Sequence, residues 1–276
     1  MIKLKVFDEY DKKSISSTFS FVRYIHKFGQ KKNIPEEGTD ELWFRGQADG
    51  SWELKPSIGR NVADGGVYDN AIGGQADHRE EALLQRFRSN SYPFVKRLLT
   101  DWEAIILGKH YQLPTRLLDW TRNPLAALFF AAETHRNVDA AIFMYRQRKE
   151  WTYHISTFEG QNSEEPIVPN PLKVKGVKIV FPVLLADRLI VQSGGFTIQD
   201  PSKCLIGRGE EDFDEKNLDL LEVYKWKLPK DCKRTILYEL HRVGINRMTL
   251  FPGLDGVGYG LRAWEQLRQV QGTWSS

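Results

Sequence analysis

Between His110 and Glu133 the chain reads HYQLPTRLLDWTRNPLAALFFAAE. Twelve residues, His110 to Thr121, carry His, Tyr, Thr, Arg, Asp and Trp, and an apolar run follows at once. A solvated loop has no need to flank Arg116 and Asp119 with Leu117, Leu118 and Trp120. A plain core segment avoids both charges, because an unpaired ion in apolar surroundings costs several kcal/mol. Ionisable groups set against a hydrophobic wall mark a site. The apolar run after them has a defined start: Asn123 is a good N-cap, and Pro124 suits the first helical position because its missing N–H is not needed there. Leu125, Leu128, Phe129 and Ala132 share one face of that helix. The small Ala126, Ala127 and Ala131 allow close packing on a sheet.

Hydropathy patterning organises the rest. Residues 2–6 alternate apolar and basic and predict a strand. Residues 17–28 predict a helix with Phe19, Phe21, Val22, Ile25 and His26 near one face. Residues 41–46, ELWFRG, predict an aromatic strand, and 61–77 a Gly-rich loop. Residues 78–87 and 92–110 are helical by spacing, with Leu84, Phe87, Phe94, Leu98, Trp102 and Ile106 facing inward and Pro93 starting or breaking one helix. Strands follow at 140–146, 151–156, 177–185, FTIQ and 220–228, with a Pro/Asn loop at 161–171. A helix spans 231–243, with Ile236, Leu237, Leu240 and Val243 on one stripe, and a terminal helix spans 258–269. Early helices, middle strands and late helices predict an α+β fold with a mixed or antiparallel central sheet flanked by helices.

The chain of 276 residues is 41% hydrophobic and 27% charged, which supports an ordinary packed core. Eight Trp and fifteen Phe suit a core of large side chains and a stacking surface. A net charge of +3 is too mild to argue for nucleic acid by itself. Cys204 and Cys232 stand far apart without zinc-type spacing, so they read as free thiols and no metal is expected. No signal peptide and no span of about 20 apolar residues is visible, which points to a cytoplasmic protein without a membrane partner. Walker, GxGxxG, HExxH and GxSxG patterns are absent. The acidic run Glu210, Glu211, Asp212, Asp214 and Glu215 reads as a solvated loop.

Several residues are candidates for chemistry. Arg45 closes an aromatic strand beside Gly46, where a planar guanidinium can grip phosphate or carboxylate through two hydrogen bonds. The alternative is a local pair with Asp40 or Glu41. Gln47, at the end of the same segment, joins Arg45 in the ligand-binding set. His110 is a candidate general base, or else a helix C-cap. Arg116 and Asp119 can pair with each other, or hold phosphate and orient a catalytic group. Tyr111 and Trp120 are candidates for stacking, and Thr121 for the catalytic set. The start of the following helix offers N–H groups to an anion, with Arg122 adding charge. A second cluster holds Arg188, Gln192 and Phe196, with Gln192 at a ligand-approach turn or a plain C-cap. Asp255, in TLFPGLDG, is a turn residue or a site carboxylate.

Taken together, WFRGQ at 43–47, HYQLPTRLLDWTRNPLAALFFA at 110–131, RLIVQSGGF at 188–196 and GINRMTLFPGLDG at 244–256 resemble the FRG domain, a bacterial and phage family named for its Phe-Arg-Gly motif. Gln112 departs from the pattern, standing where the family has Gly after His-Tyr. The resemblance implies a single domain over 1–276, with 1–39 an N-terminal extension, 40–256 the core and 257–276 a terminal helix. A looser similarity links Arg-Gly at a strand end, and Thr121 before NPLAALFFA, to ADP-ribosyltransferases. That similarity implies NAD, with Arg45 on its pyrophosphate and His110, Tyr111 and Thr121 around the nicotinamide ribose. It also calls for a late Glu, for which Glu222 and Glu239 are the candidates. The expectation is therefore a nucleotide- or NAD-using enzyme acting on a nucleotide-type small molecule, with a protein or nucleic-acid target. The alternatives are a non-catalytic binding module in phage defence or a toxin system, and metal-independent nucleic-acid processing.

Overall fold

The computed structural model describes residues 7–8, 14–31, 41–60, 76–147, 152–154, 170–174, 177–181, 194–199 and 222–269. Among them, eight strands form one sheet: β1 (Phe7–Asp8), β2 (Glu41–Gln47), β3 (Leu117–Thr121), β4 (Ala140–Gln147), β5 (Thr152–His154), β6 (Lys178–Phe181), β7 (Gly194–Ile198) and β8 (Glu222–Leu228). Their order is β1-β8-β4-β2-β3-β7-β6-β5. The six strands from β8 to β6 run antiparallel to their neighbours, while β1 and β5 join the edges in parallel. The helices are α1 (Thr18–Lys31), α2 (Ala76–Val95), α3 (Asp101–His110), α4 (Pro124–Glu133), α5 (Lys230–Arg242), α6 (Arg247–Leu250) and α7 (Leu254–Gln269). The chain is α+β, as its patterning predicts.

Strand alternation divides the core. On one face, Phe44, Ile142, Met144 and Trp226 pack under α1, α4 and α5. On the same face of the neighbouring strands, Leu117, Val180, Phe196 and Ile198 pack under α2 and α3. The other face buries Trp43, Leu118, Trp120, Phe143 and Tyr145. Two helix layers thus share one side of the sheet, and their seam falls at β2 and β3. The pairing is weakest at that seam. β2 and β3 are in register at one pair, Phe44 with Thr121, whereas β2 pairs with β4 at all seven of its residues and β3 with β7 at all five of its own.

α4 follows β3 after two residues and crosses back over β2. Asn123 caps it by accepting from Leu125 N and Ala126 N at 3.0 and 3.3 Å, and Pro124 takes the first turn. Gly46 permits the crossing: a Cβ there would overlap the Ala127 carbonyl and stand 2.7 Å from Ala131 N. The buried Lys233 of α5 anchors the arrangement by donating to Ala48 O at 2.6 Å, His135 O at 2.8 Å and Thr134 O at 3.3 Å. These carbonyls lie just past β2 and at the C-terminal end of α4, where an ammonium also suits the helix dipole.

Some expectations fail for local reasons. In α1, Phe21 is buried and Ile25 packs against the same core, but Phe19, Val22 and His26 are exposed. Pro93 neither starts nor breaks α2, which continues to Val95 before Lys96 turns to φ +58°. That reversal takes residues 96–100 out of helical phase, so Phe94 and Leu98 are exposed while Leu84, Trp102 and Ile106 are buried. Val243 lies past the end of α5 and is exposed. α7 begins at Leu254, so Asp255 sits in its first helical turn and does not border the cavity described below. The strand predicted at 2–6, nearly all of the loop at 61–77, most of that at 161–171, Cys204 and the acidic run at 210–215 lie outside the described residues. Cys232 is a free thiol, and no helix among the described residues is long and apolar enough to cross a membrane.

α3 is aimed by its first turn. Thr100 and Glu103 form a capping box, and Glu103 also accepts from Arg97 at 2.8 Å. The Arg97 hydrogen bonds hold the Glu103 carboxyl below its ordinary value of 4.5, with burial opposing and Thr100 assisting. Within that window the unfolded chain binds the extra proton, so the contribution is complete above pH 4.5 and falls away as acid titrates the folded carboxylate. Glu103→Gln is expected to cost about 1–2 kcal/mol at neutral pH. In urea titrations, the gap between mutant and parent should narrow below pH 4.5.

Candidate functional site

A cavity of about 400 Å³ opens where β2 and β3 part, a volume within the range of small-ligand sites. β2 contributes Phe44, Arg45 and Gly46, and β3 contributes Asp119, Trp120 and Thr121. The end of α3 and the turn after it bring Lys109, His110, Gln112 and Leu113. Phe130 of α4, Phe196 of β7 and Ser57 complete the lining. The segments around positions 45 and 110–121 therefore meet in one hollow.

The electrostatic centre is Asp119. Arg45 donates from Nη1 to the Asp119 carbonyl at 2.9 Å, and the same nitrogen stands 3.6 Å from Oδ2. Lys109 Nζ reaches Oδ2 at 3.0 Å. The two cationic side chains are 13% and 15% exposed, while the carboxylate is 55% exposed. Burial, with Arg60 adding to it and Asp119 opposing both, brings Arg45 down to about 10. Lys109 is lowered by burial and by the neighbouring Arg45 and Arg60, again against Asp119. Two desolvated cations thus share one carboxylate, with a third cation close enough to be felt. Arg45 Nε is buried and has no hydrogen-bond partner among the described residues. An anion bound here would meet positive charge from two largely buried side chains.

α3 ends in a tight reversal. Leu113 N donates to Gly108 O at 2.8 Å and Gln112 N to Lys109 O at 3.1 Å, which is the bond pair of a Schellman turn. Gln112 occupies its left-handed position at φ +66°. Leu113 packs directly on Gly108, whose absent Cβ would stand 2.9 Å from a Leu113 methyl. The turn presents Lys109, His110 and Gln112 to the cavity.

Of the residues expected at the site, Arg45, His110, Asp119 and Thr121 border the cavity. The His110 ring meets Tyr111 edge-on at 5.0 Å, and Thr121 Oγ1 accepts from Asn123 N at 2.9 Å. Arg45 pairs across the sheet with Asp119, while Asp40 and the Glu41 side chain lie outside the described residues. Asp119 engages Arg45 and Lys109, whereas Arg116 engages Glu80. Trp120 borders the cavity, but its indole is buried on the opposite face and donates to Thr197 Oγ1 at 3.0 Å, so it is not available for stacking.

Other candidates are placed elsewhere. Arg116 is buried against Glu80, with Nε–Oε2 at 2.7 Å and Nη1 donating to Leu172 O at 3.0 Å; it is a core ion pair, not a phosphate ligand. Gln47 is buried, donates to Glu53 O at 3.4 Å and does not border the cavity. Tyr111 is exposed outside it. The N–H groups at the start of α4 are taken by Asn123, so that helix end is not the anion site. Arg122 lies 4.9 Å from the Trp43 ring centre, on the other face. Glu239 accepts from Thr18 N at 2.7 Å on helix α5 and is not among the residues that border the cavity, while the Glu222 side chain lies outside the described residues. Phe196 does border it, while Arg188 and Gln192 lie outside the described residues. Residues 244–256 are structural: Asn246 caps α6, and Arg247 pairs with Glu133 of α4.

Sequence reasoning missed Lys109, Ser57, Leu113 and Phe130. Lys109 carried a signal, as a lone cation in the last turn of the apolar DWEAIILGKH, but it reads as a dipole cap. The two arginines should separate experimentally. Arg116→Leu strands a buried Glu80 and is expected to cost about 3–5 kcal/mol. Arg45→Leu relieves cation crowding while losing one hydrogen bond, and should stay within about 1 kcal/mol of the parent. Chemical denaturation of both variants checks this contrast.

None of the curated proteins and none of the solved structures matches the chain. A family model does, over residues 40–140. Among the described residues, that span contains every one bordering the cavity except Phe196. The segments at 43–47 and 110–131 fall inside it, whereas those at 188–196 and 244–256 fall outside. The matching model is that of the FRG domain, so the segment 40–140 is similar to that domain.

Proposed function

We propose that the cavity binds a nucleotide-type ligand through its phosphates, and that the ligand is NAD, used in an ADP-ribosyltransferase-like transfer. One observation carries the reading: the largely buried Arg45 and Lys109 border one cavity with one carboxylate between them. Phe44, Phe130 and Phe196 provide apolar wall for a ring beside that charge. The residues present suit the group on both counts.

In this reading Arg45 and Lys109 hold the pyrophosphate. Asp119 is the acidic side chain bordering the cavity among the described residues. It takes the part that the late Glu was expected to play, facing the positive charge that develops on ribose as nicotinamide departs. His110 accepts the proton of the attacking group, and Thr121 lines the floor. Nucleic-acid strands use cations strung along an open groove. These two cations lie inside a cavity, which favours a small ligand. A non-catalytic binding module is the second reading. It is favoured by the engagement of Asp119 with both cations, which leaves its carboxylate in a structural ion network.

Calorimetric titration with NAD and with pyrophosphate tests the site. Arg45→Ala and Lys109→Ala are each expected to weaken both ligands by about 10–100-fold, the loss of one charge-assisted contact. An unaltered protein that binds neither ligand, or an Arg45→Ala variant that binds both normally, overturns the proposal. Release of nicotinamide, abolished in Asp119→Asn, separates the enzyme from the binding module.

A further inference from the structure

Gln112 occupies a position where glycine would be cheaper. The reversal after α3 is held by main-chain bonds from Gln112 N and Leu113 N and by Leu113 packing on Gly108. None of these uses the Gln112 side chain. Its φ of +66° lies in the left-handed region, where a Cβ is strained and glycine is the usual occupant. The side chain is exposed, borders the cavity, and its carboxamide has no hydrogen-bond partner among the described residues. A strained residue that contributes nothing to the turn, yet faces a ligand cavity, is the pattern of stability exchanged for recognition.

We infer that Gln112 is a specificity-determining residue, which reads the uncharged end of the ligand while Arg45 and Lys109 hold the anionic end. A carboxamide offers a donor and an acceptor side by side. Its complement is a neutral group presenting an acceptor and a donor in the same way: the edge of a nucleobase or a ring-borne amide. A site built to pair with such an edge discriminates strongly against ligands that lack it, because its own polar groups are then left unpaired. The inference rests on the nucleotide reading of the cavity and adds the residue that selects among nucleotides.

Gln112→Gly tests it without endangering the fold. Relief of the left-handed strain should raise the melting temperature of the ligand-free protein by about 2–4 °C. In the same variant, NAD affinity should fall about tenfold while pyrophosphate affinity stays within twofold. Higher stability with selectively weaker NAD binding is a combination that a merely structural role does not produce. NAD binding within twofold of the parent overturns the inference, as does an equal loss for both probes, which would assign the effect to the turn. If the unaltered protein binds neither probe, the nucleotide reading itself falls, and this inference falls with it.

Discussion

The parting of β2 from β3 is the constraint on which the site depends. The two strands meet at Phe44 and Thr121 and at no further register pair, although each is fully zipped to its other neighbour. Two features accompany the gap. α4 leaves β3 almost immediately and lies directly on Gly46, and separate helix layers cover the sheet on either side of the seam. Unpaired strand edges need other partners for their main-chain groups. Arg45 supplies one, with its guanidinium donating to the Asp119 carbonyl across the gap. A side chain therefore stands where a strand bond would otherwise lie, and the space beside it is the cavity.

That placement explains why the arginines of the two motif segments, Arg45 and Arg116, differ so much. Arg116 meets Glu80 in full burial, accompanied by a main-chain N–H and the Leu172 carbonyl, and its charge is matched. Arg45 shares Asp119 with Lys109 and feels Arg60, so its charge is only partly compensated. Desolvation makes that imbalance costly for the ligand-free protein and favourable for an incoming anion. Arg116 holds the fold, and Arg45 is the one on which the proposed ligand site rests.

Local signals in the chain account for much of this. The Asn123–Pro124 start of α4, the aromatic strand ending in Arg-Gly and the α+β order all follow from patterns of a few residues. The joint placement of Arg45, His110 and Asp119 was legible because a charged run set into apolar sequence has few structural uses. Partner choice was not legible. Arg116 and Asp119 stand three apart, yet they enter different ion pairs, because Glu80 arrives from α2 and Lys109 from α3. Lys233 reads as one more polar helix residue, and only tertiary packing reveals it as a buried bolt. Phe94 and Leu98 follow the helical period but fall where Lys96 reverses the chain. Trp120 shares a strand with Asp119, but alternation sends its ring to the far face.

The central claim is that the gap between β2 and β3 is a cationic ligand site. A crystal structure of the protein soaked with tungstate, an anomalous scatterer of phosphate-like shape, tests it most directly. The account predicts an anomalous peak within hydrogen-bond reach of the Arg45 guanidinium and Lys109 Nζ, with β2 and β3 still apart beyond Phe44 and Thr121. Strands zipped together along their length, or a cavity empty of tungstate while the anion binds elsewhere, would contradict it.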